Sequence, residues 1–289
     1  ARARAKAANT LGAAATASVH AGQTVRPAPA PLPIEGLGMW IYEFDKAAGG
    51  DPRKIVRAAM RRGITHIYVR LGSSKVGING WKNIKKILPV AHAAGLKVIA
   101  WDFPYLFNTT QDARRGAFVM SHTVGGHRVD GFAADVETRS EGTMLTRSRA
   151  LRYARQLRAN LKEYFTILVP PRPNAYVLSF YPFGALVPSF DAVAPMVYWG
   201  GHSPVSTVGE AIRYLRRFGK PIAPIGQSFD MGPEGGPKGH PKGRALVRFM
   251  DAARRSGAVG VSFWSWQHTP RGLWHTIDTY RWPARVGRQ

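Results

Sequence analysis

The stretch Val129-Asp130-Gly131-Phe132-Ala133-Ala134-Asp135-Val136-Glu137 reads as a buried strand that closes on two carboxylates. Alternate residues of a strand point to the same side, so Asp135 and Glu137 project together from its C-terminal end. Outward from this segment the chain alternates. Apolar, strand-like runs occur at 38–44, 66–70, 97–102, 131–137, 166–170, 192–199, 221–227 and 260–266. Between most of them lie amphipathic helical stretches at 52–62, 81–94, 147–162, 208–218 and 241–256. Four of these helices run into a glycine (Gly63, Gly95, Gly219, Gly257), the residue that adopts the left-handed cap from which a chain turns into its next strand. Eight strands alternating with helices over roughly 250 residues predict an α/β chain folded as a (β/α)8 TIM barrel, a single domain. A doubly wound open sheet is the alternative, but no Gly-rich phosphate loop follows the first strand.

Composition narrows the classes of function. The chain has 289 residues, 45% of them hydrophobic, enough for one large core. It contains no cysteine, which excludes a disulfide framework, a thiolate metal site and a thiol nucleophile. No apolar run approaches the roughly 20 residues of a membrane span. Lys and Arg number 41 against 17 Asp and Glu, a net charge of +24, and such a field attracts polyanions. The basic pairs Arg61-Arg62, Lys85-Lys86, Arg114-Arg115, Arg216-Arg217 and Arg254-Arg255 are scattered along the expected helices as outward faces. No zinc-finger, RNA-recognition or helix-turn-helix pattern accompanies them, so nonspecific attraction to an anionic wall polymer is expected rather than specific nucleic-acid recognition. The histidines lack any ligand-like spacing, so neither a metal nor another cofactor is expected.

Residues 1–33 differ from the rest. A basic start, an Ala-rich run and Ser18-Val19-His20-Ala21 resemble an export signal or its remnant, with a low-complexity tether as the alternative. Arg26-Pro27-Ala28-Pro29-Ala30-Pro31-Leu32-Pro33 reads as a Pro-rich linker. The barrel is expected over 34–289, as a monomer that is secreted or associated with the cell wall.

Barrels of this kind place their chemistry at the C-terminal ends of the strands. Those ends carry Trp40, Tyr42, Glu43 and Asp45 on strand one, and Arg70 on strand two. Trp101 and Asp102 end strand three, and Asp135 and Glu137 end strand four. Met196, Tyr198 and Trp199 follow on strand six, Gln227 and Asp230 on strand seven, and Trp264, Trp266 and Gln267 on strand eight. Scarce acids and abundant aromatics therefore meet on one rim. Aromatic rings pack against the C–H faces of sugars while carboxylates and amides take the hydroxyls, so the combination reads as a carbohydrate cleft. Two close carboxylates cannot both ionise freely, and the one with the raised pKa can donate a proton near neutral pH, as glycosidic cleavage requires. The plainer alternatives are a solvated pair of acids and aromatics that only fill the core.

At these residues the sequence resembles the chitinase-type (family 18) and lysozyme-type (family 25) glycoside hydrolase barrels. The chitinase motif on strand four is Asp-Gly-x-Asp-x-Asp-x-Glu, and Asp130 to Glu137 matches it except that Ala133 stands in place of the middle Asp. Met196-Val197-Tyr198 resembles the Met-x-Tyr of strand six, and Trp264 or Trp266 the tryptophan of strand eight. Asp135-Val136-Glu137 also satisfies the shorter Asp-x-Glu of family 25, whose strand-one acid would be Glu43 or Asp45. The resemblance implies catalysis by Glu137 as general acid, with Asp135 orienting and stabilising a 2-acetamido group. It implies substrate contacts from Tyr198 and a strand-eight tryptophan. Adjacency in the barrel, rather than the resemblance, offers Asp102 at the end of strand three as a replacement for the charge missing at position 133. Glu43, Trp40, Tyr42, Arg70, Trp101 and Gln227 complete the expected cleft. The expected function is hydrolysis of a cell-wall or N-acetylhexosamine polysaccharide. An inactive barrel that binds such a polymer is the second reading, and a polyanion-binding protein the third.

Overall fold

A computed structural model of the chain describes residues 30–283. The expected segment 1–33 thus lies, up to residue 29, outside the described residues. Eight parallel strands form a closed ring: β1 (Gly36–Ile41), β2 (Ile64–Ser73), β3 (Lys97–Phe103), β4 (Gly131–Asp135), β5 (Thr166–Val169), β6 (Ala192–Val193 with Met196–Val197), β7 (Ile225–Gln227) and β8 (Gly260–Trp264). Each is hydrogen-bonded to the next, and β8 returns to β1 with Gly36 opposite Gly260. The TIM barrel read from the alternation is therefore the fold.

Every expected strand is present, several of them shorter than their apolar runs. The run 192–199 is broken at Ala194-Pro195 because proline has no N–H to give the ladder. The ladder continues around the break, with Ala194 N–H to Leu168 C=O at 2.8 Å and Ile225 N–H to Pro195 C=O at 2.8 Å. All four cap glycines have positive φ (67°, 76°, 65° and 83° in chain order).

Around the barrel lie α1 (Pro52–Arg61), α2 (Trp81–Ala93), α3 (Thr109–Ser121), α4 (Arg147–Asn160), the short α5 (Ala175–Leu178) and α6 (Phe183–Leu186), α7 (Pro204–Leu215), α8 (Gly243–Arg255) and α9 (Arg271–Thr279). The Asp51 carboxylate caps α1, accepting from Arg53 N–H at 2.8 Å and Lys54 N–H at 3.1 Å, and Pro52 opens the helix. The sequence pattern did not mark α3, whose first turn is polar and whose middle is Gly116. That glycine is a packing requirement: a Cβ there would lie 2.8 Å from both Leu157 Cδ1 and Phe132 Cε1. α5, α6 and α9 were also unmarked, the first two because a single turn carries no periodicity.

Strand alternation divides the core in two. Trp40, Tyr68, Ile99, Trp101, Ala133, Ile167, Ala194 and Ile225 face into the barrel, while the larger cluster lies between sheet and helices. Gly38 opens room for the buried ring of His66 at the barrel floor, since a Cβ at 38 would sit 2.2 Å from His66 Nε2.

The outer layer also encloses a charged knot. Asp102 points away from the barrel interior, between the inward neighbours Trp101 and Phe103. Arg115 of α3 meets Asp102 Oδ2 and Asp112 Oδ1, each at 2.8 Å. Ser74 joins it by donating to Asp112 Oδ1 at 2.7 Å. The expectation of solvated basic pairs is thereby corrected at two positions: Arg115 turns into this knot, and Arg62 turns inward onto the Trp274 ring at 4.8 Å. Removing one member of a buried ion cluster strands the others without a partner. Arg115→Met should therefore cost about 3–5 kcal/mol in urea unfolding, far more than the change of about 0.5 kcal/mol or less expected of a surface variant such as Arg114→Met.

Candidate active site

The C-terminal mouth of the barrel is walled by rings from three strands. Trp264 of β8 lies 5.7 Å from Tyr42 and 5.7 Å from Trp101, and Tyr42 lies 6.2 Å from Trp101. Arg70 of β2 caps this group, with Cζ 4.8 Å from the Tyr42 ring centre and 5.8 Å from that of Trp101. One layer down, Trp40 stacks on Tyr68 at 4.0 Å with the planes 2° apart, and its Nε1 donates to Ser262 Oγ at 2.9 Å. Trp40 is 1% exposed. It supports the floor from below and does not itself face the opening.

Asp135 and Glu137 come from β4 and the residues just beyond it. Val136 between them packs in the outer layer, which leaves both carboxyls on the inner side, as strand alternation requires. Val136 is also held in place by Tyr181, whose hydroxyl donates to the Val136 carbonyl at 2.7 Å. Burial pushes the Asp135 carboxyl up, reinforced by the charges of Asp102 and Glu141. Burial pushes Glu137 well above the usual carboxylate range, and the charges of Asp135, Glu141 and Glu234 act in the same direction. The two carboxyls are thus both shifted upward and oppose each other's ionisation.

Several polar atoms at this mouth are buried and have no partner among the described residues: Asp135 Oδ1, Arg70 Nε and Trp101 Nε1. Buried polar groups are normally satisfied. Three orphans from three adjacent strands mark a place where a polar ligand completes the hydrogen bonding.

The expected residues divide by location. Asp135, Glu137, Tyr42, Arg70, Trp101 and Trp264 converge at the mouth. Tyr198 also stands there, half-buried, its ring 5.1 Å from Phe229 and its hydroxyl pushed up by burial and by the two carboxyls. Glu43 lies at the rim, paired with Lys46 at 2.7 Å on the 3-10 turn that follows β1, and Asp45 is exposed on the same turn.

Asp102 faces α3 with its oxygens taken by Arg115, and it acts on Asp135 through its charge. Two expectations are corrected. Trp266 packs on Trp274 of α9 at 5.0 Å, beneath the helix layer, because β8 ends at Trp264 and a 3-10 turn begins at Trp266. The Gln227 amide is committed to loop bracing, accepting from Gly200 N–H at 2.9 Å and donating to Phe229 C=O at 3.2 Å.

The sequence reading missed Tyr68, Tyr181, Glu141 and Glu234. Tyr68 was open to it, two residues before Arg70 on the same strand face. The others sit on loops whose spacing carries no signal.

Position 133 acquires a physical explanation. Ala133 is fully buried beside Trp101, its register partner, in the layer that also holds Trp40 and Tyr68. A carboxylate there would be wrapped in rings and would lose its hydration without compensation.

No protein-family model matches the chain, and no curated protein does. Solved structures do. A crystal structure of a chitinase from Chromobacterium violaceum superposes with a TM-score of 0.62 at 11% identity, over 84% of this chain and 98% of that one. A putative α-L-fucosidase from Bacteroides thetaiotaomicron gives 0.61 at 14%, over 91% and 97%. The spore cortex-lytic enzyme SleL of Bacillus cereus gives 0.58 at 11%, over 84% and 73%. What they share with this chain is the fold. It is a (β/α)8 barrel.

The buried acids carry a stability consequence. In the unfolded chain they ionise near pH 4, and in the folded protein only at higher pH. Between those values the unfolded state holds fewer protons, so stability falls as pH rises through the window. Asp135→Asn and Glu137→Gln should each raise Tm at pH 7, by about 3 °C for each kcal/mol relieved, and by less at pH 4. Thermal denaturation followed by circular dichroism at both pH values checks this.

Proposed function

We propose that the protein is a secreted glycoside hydrolase that cleaves a cell-wall or N-acetylhexosamine-containing polysaccharide by carboxylate chemistry. The observation that carries this reading is the pair Asp135, buried, and Glu137, half-buried, both with raised pKa values, in a mouth walled by Trp264, Trp101 and Tyr42. The chitinase and cortex-lytic neighbours support a polymer of this class. So does the rim: among the described residues, all the exposed large hydrophobic side chains except Met60 lie in the segments that follow the C-terminal end of a barrel strand, Phe107, Phe180 and Tyr176 of the short α5 among them. A long polymer has use for apolar surface beyond the central cleft.

In this mechanism Glu137 gives its proton to the glycosidic oxygen as the bond to the anomeric carbon breaks. The carbonyl oxygen of the substrate's own 2-acetamido group bonds to that carbon from the opposite face. Asp135, once ionised, accepts from the acetamido N–H and offsets the positive charge that develops on the group. Tyr198 holds the acetamido oxygen in line, and Trp264 stacks under the ring. Water, deprotonated by Glu137, then opens the cyclic intermediate with net retention. Asp102 contributes only its field, passed through Asp135.

Activity should depend on pH as a bell. The acid limb reports ionisation of Asp135, and the alkaline limb, above the ordinary carboxylate range, reports loss of the Glu137 proton. Release of reducing ends from purified peptidoglycan and from chitin oligosaccharides should fall by about 10² or more in Glu137→Gln. Tyr181→Phe, which frees the Val136 carbonyl without touching substrate, should lower kcat about tenfold with little change in KM. Polymer that is bound but left uncut by the unsubstituted protein would favour the second reading, a barrel that only binds polysaccharide. Ala133 at the position of the chitinase Asp is the observation on its side.

A further inference from the structure

Beyond the mouth, on the side of β7 and β8, lies a second cavity of about 480 Å³. That volume falls within the range of about 300–1,000 Å³ typical of small-ligand pockets. One wall is the segment after β7, with Phe229 and Glu234, and the other is the turn after β8, from Gln267 to Pro270. Read from sequence, residues 232–242 form a mobile Gly- and Pro-rich connection. In the structure this segment is pinned: Asp230 Oδ1 accepts from Gly232 N–H at 2.8 Å and Gly239 N–H at 2.7 Å, closing the loop on itself. It is tied to the opposite wall where the His240 ring meets the His268 carbonyl at 3.2 Å, and where the Ser228 and Thr269 hydroxyls lie 2.7 Å apart. The cavity is thus held open by hydrogen bonds across both walls.

Gln267 is its decisive side chain. Both its amide nitrogen and its amide oxygen are buried, and neither has a hydrogen-bond partner. An orphaned amide is costly, and one with both ends orphaned in a lined cavity calls for a ligand that donates and accepts at adjacent atoms. Beside it, exposed His268 places its Nδ1 2.9 Å from Ser265 Oγ, and partial desolvation pushes its pKa down. Phe229 offers an apolar face. Vicinal hydroxyls, or a hydroxyl next to an acetamido group, fit this lining. A bare anion, which only accepts, leaves the Gln267 oxygen unpaired. The cavity adjoins the site already described, since Phe229 touches Tyr198 and Trp264 begins the turn that carries Gln267.

We propose that this cavity binds a neutral sugar unit of the same chain, next to the unit on the Trp264 floor, and that Gln267 is its hydrogen-bonding anchor. The inference rests on the glycosidase reading and adds that productive binding spans at least two consecutive sugars.

The test uses the Glu137→Gln protein, so that ligands survive, and chitin oligosaccharides of one to six sugars in isothermal titration. Affinity should climb with chain length. Adding Gln267→Leu, close in shape but apolar, should weaken oligosaccharides of three or more sugars about tenfold and flatten that climb. It should not lower Tm, because it removes an orphaned amide. Trp264→Ala should weaken every length alike. Unchanged length dependence in Gln267→Leu, or no binding of any oligosaccharide, would overturn the proposal. Hydrolysis by the unsubstituted protein is scored separately: cleavage with unaltered length dependence rejects the subsite alone, and no cleavage of any glycan rejects the reading on which it rests.

Discussion

Keeping two carboxyl groups out of water on the same side of one strand is the constraint around which this barrel is arranged. Ionised, each would need hydration or a cation, and among the described residues no cationic side chain forms an ion pair with either. The nearby charges of Glu141 and Glu234 are of the same sign. The outcome is a proton retained at neutral pH on a group that would lose it in water. Arg115 neutralises Asp102 from the outer layer but is taken up by Asp102 and Asp112. The guanidinium of Arg70, at the mouth, lies over Tyr42 and Trp101 instead.

Such a site opposes folding and has to be held by its surroundings. The neighbouring elements are correspondingly rigid. The β4 backbone is pinned by Tyr181, the β6 and β7 ends are braced through Gln227, and the β3 loop is tied to α3 through Ser74, whose hydroxyl accepts from Tyr105 N–H at 2.7 Å. These contacts give the mouth its shape without touching what it would bind. Ala133 belongs to the same economy of charge: the inner layer already carries two acids, and the position beneath them is given to packing.

Much of this was legible in the sequence where a periodic rule applied. The strand-and-helix alternation with its glycine caps specified the barrel, and the i, i+2 spacing placed Asp135 and Glu137 on one face. The same rule, carried past the end of a strand, misplaced Trp266, because β8 stops at Trp264 and the chain turns. At Asp102 the rule was not applied at all: alternation with Trp101 would have sent it outward to α3. Contacts made by loops, such as Tyr181 to Val136 and the two walls around Gln267, depend on how distant segments meet and leave no local spacing to read.

The central claim is that Glu137 holds its proton while Asp135 ionises first. Carbon-13 NMR titration of the side-chain carboxyl carbons, assigned by comparison with Asp135→Asn and Glu137→Gln, measures this directly. The account predicts two separated transitions, both above the ordinary carboxylate range, with the Glu137 signal moving at the higher pH. Two signals that titrate together near pH 4 would contradict it.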